Sequence, residues 1–453
     1  MTSPHLFLLL TKYKQKKFEK GVKMNLDDIR LARLIRTIKK KMSSKSHNCN
    51  ECKWKRSVDE KEPLLVDHIW CETCSPIQLQ REFILWKSGN NEIDDFIRFQ
   101  QIKAKTPSNL IEWIPYNSLT DIKYLEQGGF SKVYSSTWMD GPIQGWNFEL
   151  KQWNRLGKTK VALKVFKDSQ NISSEFLEEI HLNLQRGSTY IVKCFGFTQE
   201  PKSKNYAMVL EYAENGNLRH FLKSKSNSID LYQKIEILKQ IGHHLYNLHE
   251  KKIIHKNFHI GNILFANHID DYITISDLGI CQPINKTTCL NGSSQKEIYG
   301  VLPYVAPEVL REKSYCKASD IYAFGGIIYE IVTGNPPFHD RSHDFQLALD
   351  ICNGVHPTIP EDTPKSFVNL LKRCWEPDPK RRITAIEIFS MIRCCFIYED
   401  ECKISHRISK EIDQSKCIHH TNPTKQTKIH PEAIYSSRLL SFPKLEETLS
   451  SDI

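Results

Sequence analysis

No apolar run in this 453-residue chain approaches the ~20 residues that a helix needs to cross a bilayer. The longest candidate near the start, Leu6 to Leu10, falls short of the roughly 7–15 residues of a signal-peptide core. Neither a membrane span nor secretion is expected. The 14 cysteines are therefore expected to be thiols or metal ligands in a reducing compartment, not a disulfide framework. Basic charge is also missing from most of the chain. The net charge of +10 lies wholly in residues 1–48, and the sequence from Cys49 onward sums to zero. That balance argues against a nucleic-acid partner.

The composition is 40% hydrophobic, ample for a buried core, and excludes wholesale disorder. At ~150 residues per domain, the length allows about three domains, or one large domain with appendages. Residues 1–48 read as a basic, partly helical tail. Leu26, Ile29, Leu31, Leu34, Ile35 and Ile38 recur at helical spacing between arginines and lysines. A basic amphipathic helix docking a membrane surface or a partner is the alternative there.

Cys49 and Cys52 form one C-x2-C pair, and Cys71 and Cys74 form another. Two such pairs separated by about 15–20 residues are a zinc signature. Four thiolates fill a tetrahedral Zn²⁺ and leave no position for water, so the site is expected to be structural. The metal would supply folding energy that so polar a segment lacks. Two helices should follow, one opening at Ser75-Pro76 and one over Glu92 to Lys103, with Ser88-Gly89-Asn90 between them. Residues 49–105 thus form a four-cysteine module with two helices, and 106–117 form a linker.

Residues 118–396 carry a series of motifs. Gln127-Gly128-Gly129-Phe130 reads as a turn between strands, where backbone amides can approach phosphates. Val161-Ala162-Leu163-Lys164-Val165 puts a lysine in an apolar strand, where it needs a partner. A predicted helix, Ser173 to Leu184, carries Glu178 and Glu179. Then come His255-Lys256-Asn257, Asn262, Ser276-Asp277-Leu278-Gly279 and Ala306-Pro307-Glu308.

In order and spacing these resemble the eukaryotic protein kinases: glycine loop, strand lysine, H-R-D loop, D-F-G and A-P-E. Asn215-Gly216-Asn217-Leu218 and Ser319-Asp320-Ile321-Tyr322 are similar to the tyrosine-kinase-like branch. The layout resembles an expanded set of fungal kinases with a cysteine module. The resemblance implies an α+β bilobal kinase fold, with a small β-rich N-lobe and a large helical C-lobe, preceded by the zinc-ribbon-like module. It implies ATP and Mg²⁺ as cofactors, held by Leu125, Gly128, Gly129, Val133, Lys164, Glu179, Glu211, Ala213, Asn262 and Asp277. Of these, Asn262 and Asp277 match the magnesium ligands, and Lys164 matches the lysine on the α- and β-phosphates. Leu210 takes the gatekeeper position, and 211–213 the hinge. Glu308 with Arg382, and Asp320, are expected to act structurally.

The departures lie on the acceptor side. The H-R-D aspartate, which accepts the substrate hydroxyl proton, is Asn257, whose amide cannot take a proton at neutral pH. Lys256 replaces the arginine, and His259 and Val301 replace a lysine and a threonine. Only Gly128 matches the three-glycine loop, with Glu126 and Ser131 at the other two positions. Glu126 would place a carboxylate near the phosphates unless it points outward. The reading is an ATP- and Mg²⁺-binding, cytoplasmic signalling protein, with the nucleus also open. It would be a pseudokinase or strongly impaired kinase with a protein substrate or a signalling partner. The alternatives are an active protein kinase and an interaction scaffold built on the zinc module. The insertion Trp138 to Thr159 is expected to be a disordered loop edge, with a partner surface as the alternative, and 397–453 a disordered tail with solvated histidines.

Overall fold

The computed structural model describes residues 70–71, 74–83, 85–128, 131–147, 149–170, 190–225, 229–266, 272–277, 298–312, 315–397, 428–443, 445 and 448. In chain order the elements are helices α1 (Cys74–Glu82) and α2 (Asn91–Lys103), then strands β1 (Glu112–Trp113), β2 (Leu119–Gln127), β3 (Ser131–Trp138), β4 (Ile143–Asn147), β5 (Gln152–Arg155), β6 (Thr159–Phe166), β7 (Cys194–Gln199) and β8 (Tyr206–Glu211). Helices α3 (Leu218–Ser224) and α4 (Leu231–Glu250) follow, then β9 (Ile263–Ala266), β10 (Tyr272–Ile275) and β11 (Ile298–Gly300). The remainder is α5 (Pro307–Glu312), α6 (Lys317–Thr333), α7 (Phe345–Cys352), α8 (Lys365–Cys374), α9 (Ala385–Ile397) and β12 (Arg438–Leu440).

The chain divides into two units. Of the described residues, the smaller takes in those from Trp70 to Gly89, together with 94–110 and 140–157. Among its described residues, Trp70, Leu79, Ala104, Leu110 and Ile143 form an apolar cluster, with Phe83 and Trp153 packed on it. The insertion Trp138 to Thr159, expected as a disordered loop edge, instead holds a hairpin of β4 and β5. Trp146 opposes Trp153, with ring centroids 4.9 Å apart and the rings near perpendicular. An edge-to-face aromatic pair across two strands offsets the entropy of ordering the turn. Asn147 closes that turn by accepting from the amides of Glu149 and Leu150 at 3.0 and 2.9 Å.

The larger unit holds a six-stranded sheet in the order β1-β7-β8-β6-β3-β2, antiparallel except for β1 with β7. β6 lies at the sheet's middle because Val161, Leu163 and Phe166 bury while neighbouring strands cover both edges. The helical part is built around α4 and α6, whose apolar residues share one core with the β9–β10 hairpin. Asp230 starts α4 in a reciprocal cap with Gln233, at 2.7 and 3.0 Å. Gly334 ends α6 at φ 76°, a conformation that disfavours side chains. A Cβ at Gly325 would stand 2.5 Å from the Trp375 indole nitrogen, so only glycine lets the ring pack there. A β-sheet lobe with a helical lobe matches the expected α+β kinase fold.

The expected disorder of 397–453 fails for residues 428–443. β12 pairs antiparallel with β11, matching Ile298 with Leu440, Tyr299 with Leu439 and Gly300 with Arg438. Leu440 and Leu445 are 5% and 2% exposed and join the helical core. Short polar segments order when a sheet edge supplies their hydrogen bonds and a few apolar side chains find a core. The expected tail helix over 26–42 and the expected helix over 173–184 lie outside the described residues.

Candidate nucleotide and acceptor site

Lys164 in β6 sits between Val133 of β3 and Met208 of β8, with 3% exposure. A buried ammonium requires a counter-charge, and its Nζ bonds the Asp277 carboxylate. Asp277 leaves β10 at a left-handed φ of 58°. The residue before it is pinned: His255 Nε2 bonds the Ser276 carbonyl at 3.0 Å, and the Ser276 amide donates to the Asn262 carbonyl at 2.8 Å. Burial alone would push the Asp277 carboxyl up, but the Lys164 charge and hydrogen bond outweigh it and hold the group below its ordinary range.

Asn262 ends a single 3₁₀ turn and is buried. Its Nδ2 donates to the Asn257 carbonyl at 2.9 Å, which fixes the amide's orientation. Its Oδ1 is then the atom left for a cation. With Asp277 this makes two hard oxygen donors joined through one stretch of backbone, a set that suits Mg²⁺ completed by phosphates and water. Among the described residues no cluster of three or more His, Cys, Asp or Glu forms a metal cage.

Five other residues expected to hold the nucleotide fall among the described residues. Gly128 donates its amide to Ser131 at 2.9 Å and closes the turn after β2. Leu125 is exposed on β2 and Val133 is half-buried on β3. Glu211 ends β8 with its amide bonded to the Lys193 carbonyl at 2.8 Å, and Ala213 accepts from Gly216 at 3.0 Å. Burial raises the Glu211 carboxyl while Lys193 opposes the shift. Gly129, Glu179, Leu278 and Gly279 lie outside the described residues.

Glu126 remains reachable by solvent, yet its carboxyl is crowded on the site side. Desolvation raises its pKa, the Asp277 charge adds to the rise, and Lys164 opposes it. Its charge is thus coupled to both members of the central ion pair.

Asp320 builds the acceptor side. At 2% exposure, near the start of α6, it accepts from the amides of His255 at 2.8 Å and Lys256 at 3.0 Å, and bonds His249 at 3.0 Å. These bonds hold Lys256 at φ 68° and present the next residue, Asn257. His259 lies alongside. Its Nδ1 accepts from the Gly261 amide at 3.1 Å, so Nε2 carries the proton. Burial first, then the Arg219 charge, lowers its pKa to about 3, and the ring stays neutral at physiological pH.

Sequence reading missed what these two side chains grip. Asn257 Nδ2 and His259 Nε2 each lie 3.0 Å from the hydroxyl of Ser437, and Asn257 Oδ1 lies 3.2 Å from it. Tyr299 Oη donates to the Ser437 carbonyl at 3.0 Å. The only sequence signal was a small island, Ile434-Tyr435 and Leu439-Leu440, inside a polar tail. Farther off, Arg382 forms a two-pronged pair with Glu308 at 2.7 and 3.1 Å and bonds the carbonyls of Ala318 and Glu376. Among the described residues, none of these four bonds reaches a residue expected at the nucleotide or acceptor side.

Of the cysteines, Cys71 and Cys74 are buried, and the Cys74 amide donates to Cys71 Sγ at 3.3 Å. Cys49 and Cys52 lie outside the described residues.

Comparison with known proteins agrees with this geometry. The family model described as "Protein tyrosine and serine/threonine kinase" matches residues 119–392. A probable serine/threonine-protein kinase of Dictyostelium discoideum is 28% identical over 312 residues, covering 66% of this chain and 16% of that protein. A cytokinesis protein of Aspergillus terreus is 30% identical over 265 residues, covering 58% of this chain and 17% of its own length. A serine/threonine-protein kinase of Arabidopsis thaliana is 23% identical over 237 residues, covering 51% of this chain and 40% of its own. The chain thus spans between 16% and 40% of these relatives' lengths.

Proposed function

Because the chain belongs to the protein tyrosine and serine/threonine kinase family, we propose that it is an ATP- and Mg²⁺-binding signalling protein whose phosphoryl transfer is strongly impaired. The observation that carries this reading is the asymmetry between Lys164 with Asp277 and Asn257 with Ser437. On the nucleotide side, a buried lysine is paired with a partly exposed carboxylate, with Asn262 tied to the same backbone. Lys164 would meet the α- and β-phosphates, and Asp277 and Asn262 would hold the metal. The metal, when bound, supplies the charge that offsets the phosphates. On the acceptor side, Asn257 Oδ1 can orient a hydroxyl but cannot take its proton. A positioned general base contributes typically 10²–10⁴-fold.

A second reading is a slow but genuine kinase. It is favoured by one observation: a hydroxyl is in fact held by Asn257 and His259. Phosphoryl transfer relies chiefly on positioning and charge, so an oriented acceptor retains part of the catalysis. We place the chain in the tyrosine-kinase-like branch, acting on protein partners in the cytoplasm. We also propose a structural Zn²⁺ on Cys49, Cys52, Cys71 and Cys74. The amide-to-sulfur bond from Cys74 to Cys71 supports it, because such donors stabilise a thiolate. One zinc per chain by elemental analysis, lost with Cys71→Ser, is the expected result, and an absence of zinc overturns it.

The test of function is a thermal shift of the full chain with ATP, with and without Mg²⁺, followed by autophosphorylation. Wild type should be stabilised by Mg-ATP and incorporate little label, Asn257→Asp should incorporate label, and Lys164→Ala should lose the shift. Vigorous labelling by wild type that Lys164→Ala abolishes would favour the active kinase. No nucleotide shift at all would leave only the scaffold.

A further inference from the structure

The segment around Ser437 lies across the acceptor side as an extended peptide. Its backbone adds a strand to β11, and three residue pairs align. Main-chain pairing of this kind supplies affinity with little sequence demand, while side chains at set positions supply selectivity. Three side chains are so engaged. Tyr435, two residues before the serine, lies over the Arg219 guanidinium at 4.7 Å, and its hydroxyl donates to the Pro337 carbonyl at 2.9 Å. Arg438, one residue after, donates to the His343 carbonyl at 2.6 Å. Leu440, three after, is buried in the helical core. Arg219 is itself fixed by a two-pronged pair with Glu330 at 2.7 and 3.0 Å, so the aromatic contact rests on a rigid cation. The hydroxyl in the middle is aimed at the residue standing in for the catalytic base.

We propose that residues 430–440 are a cis-acting pseudosubstrate: the chain's own tail fills the peptide-acceptor groove, with Ser437 in the place of the phosphoacceptor hydroxyl. This rests on the assignment of Asn257 to the catalytic-base position. The groove therefore selects peptides with an aromatic two residues before the hydroxyl and an aliphatic residue three after it. It is closed to such peptides from other proteins while the tail is seated.

The test needs no nucleotide, so its failure is separable from failure of the ATP reading. A fluorescein-labelled peptide copying residues 429–443 is titrated with the full chain, and anisotropy is read. Wild type is expected to exclude the peptide. Tyr435→Ala/Leu440→Asp, which unseats the tail, should bind it at least tenfold more tightly, and the same peptide bearing Leu440→Asp should not bind. Equal affinity for wild type and the double variant, both melting cooperatively, overturns the proposal. Should the double variant misfold, hydrogen exchange on wild type decides. Amides of 438–440 protected as well as those of 298–300 support the seated tail, and exchange at the unfolded rate overturns it.

Discussion

Ser437 and Asn257 are 180 residues apart in sequence and 3.0 Å apart in space. On the proposed reading, that pair places an acceptor hydroxyl beside the residue that stands where a base would be. Replacing Asn257 by aspartate changes one atom's chemistry and almost no volume. With Mg-ATP, the Ser437 oxygen would form a bond to the γ-phosphorus while the bond from that phosphorus to the β-bridging oxygen breaks. ADP would leave, and the hydroxyl proton would pass to the new carboxylate. Asn257→Asp should therefore acquire one phosphate, on Ser437, about 10²–10⁴ times faster than wild type. The rate should not depend on protein concentration, because donor site and acceptor share one chain. Intact mass and peptide mapping check this; phosphate found only elsewhere would contradict it.

Glu126 gives nucleotide binding a pH dependence of definite sign. Its folded pKa is raised, by burial first and then by Asp277. As pH falls toward that raised value, the carboxyl takes up a proton and stops repelling phosphates. ATP affinity should rise on acidification relative to Glu126→Gln, in which the side chain is neutral throughout. At pH 7.5, Glu126→Gln should bind Mg-ATP about fivefold more tightly than wild type, a screened interaction at several ångströms. At pH 5.5 the ratio should be smaller. Calorimetric titration at both values is the measurement, and a constant ratio would remove Glu126 from the phosphate site.

Much of this was legible before any coordinates. Lys164, Asn262 and Asp277 sit in short motifs whose spacing is dictated by strand and turn geometry, so local sequence names them. Asp320 and the Glu308–Arg382 pair were legible likewise. The tail was not. Nothing periodic marks residues 428–443, and the partner strand β11 lies well over a hundred residues upstream. Pairing across such a separation is a property of the sheet edge, not of either segment alone. The hairpin of β4 and β5 was missed for a related reason. Trp146 and Trp153 read as scattered aromatics until the turn at Asn147 sets them opposite each other.

Breaking the Glu308–Arg382 pair should cost stability without touching the site. The Arg382 side chain is fully buried and Glu308 is 10% exposed. Glu308→Ala leaves a guanidinium buried with half its partners, a loss of about 3–5 kcal/mol. Urea unfolding should show a lower midpoint with an unchanged slope. The thermal shift given by Mg-ATP should persist in the surviving native population. Its disappearance would mean that the pair also shapes the nucleotide side.

The last prediction concerns the smaller unit. Trp153 Nε1 donates to the Glu82 carboxylate at 2.7 Å, and its ring lies 6.2 Å from that of Trp70. Burial raises the Glu82 pKa above 4.5, and the indole hydrogen bond pulls it back. Trp153→Phe keeps an aromatic ring but removes the donor, a loss of about 1.5–3 kcal/mol for a bond to a charged group. The folded pKa of Glu82 should then climb further. A raised carboxyl pKa means that the folded state binds more protons than the unfolded one. The stabilisation it confers is present below the unfolded pKa and lost as pH rises through the folded one. In Trp153→Phe, protection of the Gln152–Arg155 amides should therefore fall more steeply than in wild type from pH 4.5 to 6.5. Parallel pH profiles, with protection lowered equally at every pH, would assign the bond a packing role and free Glu82 from it.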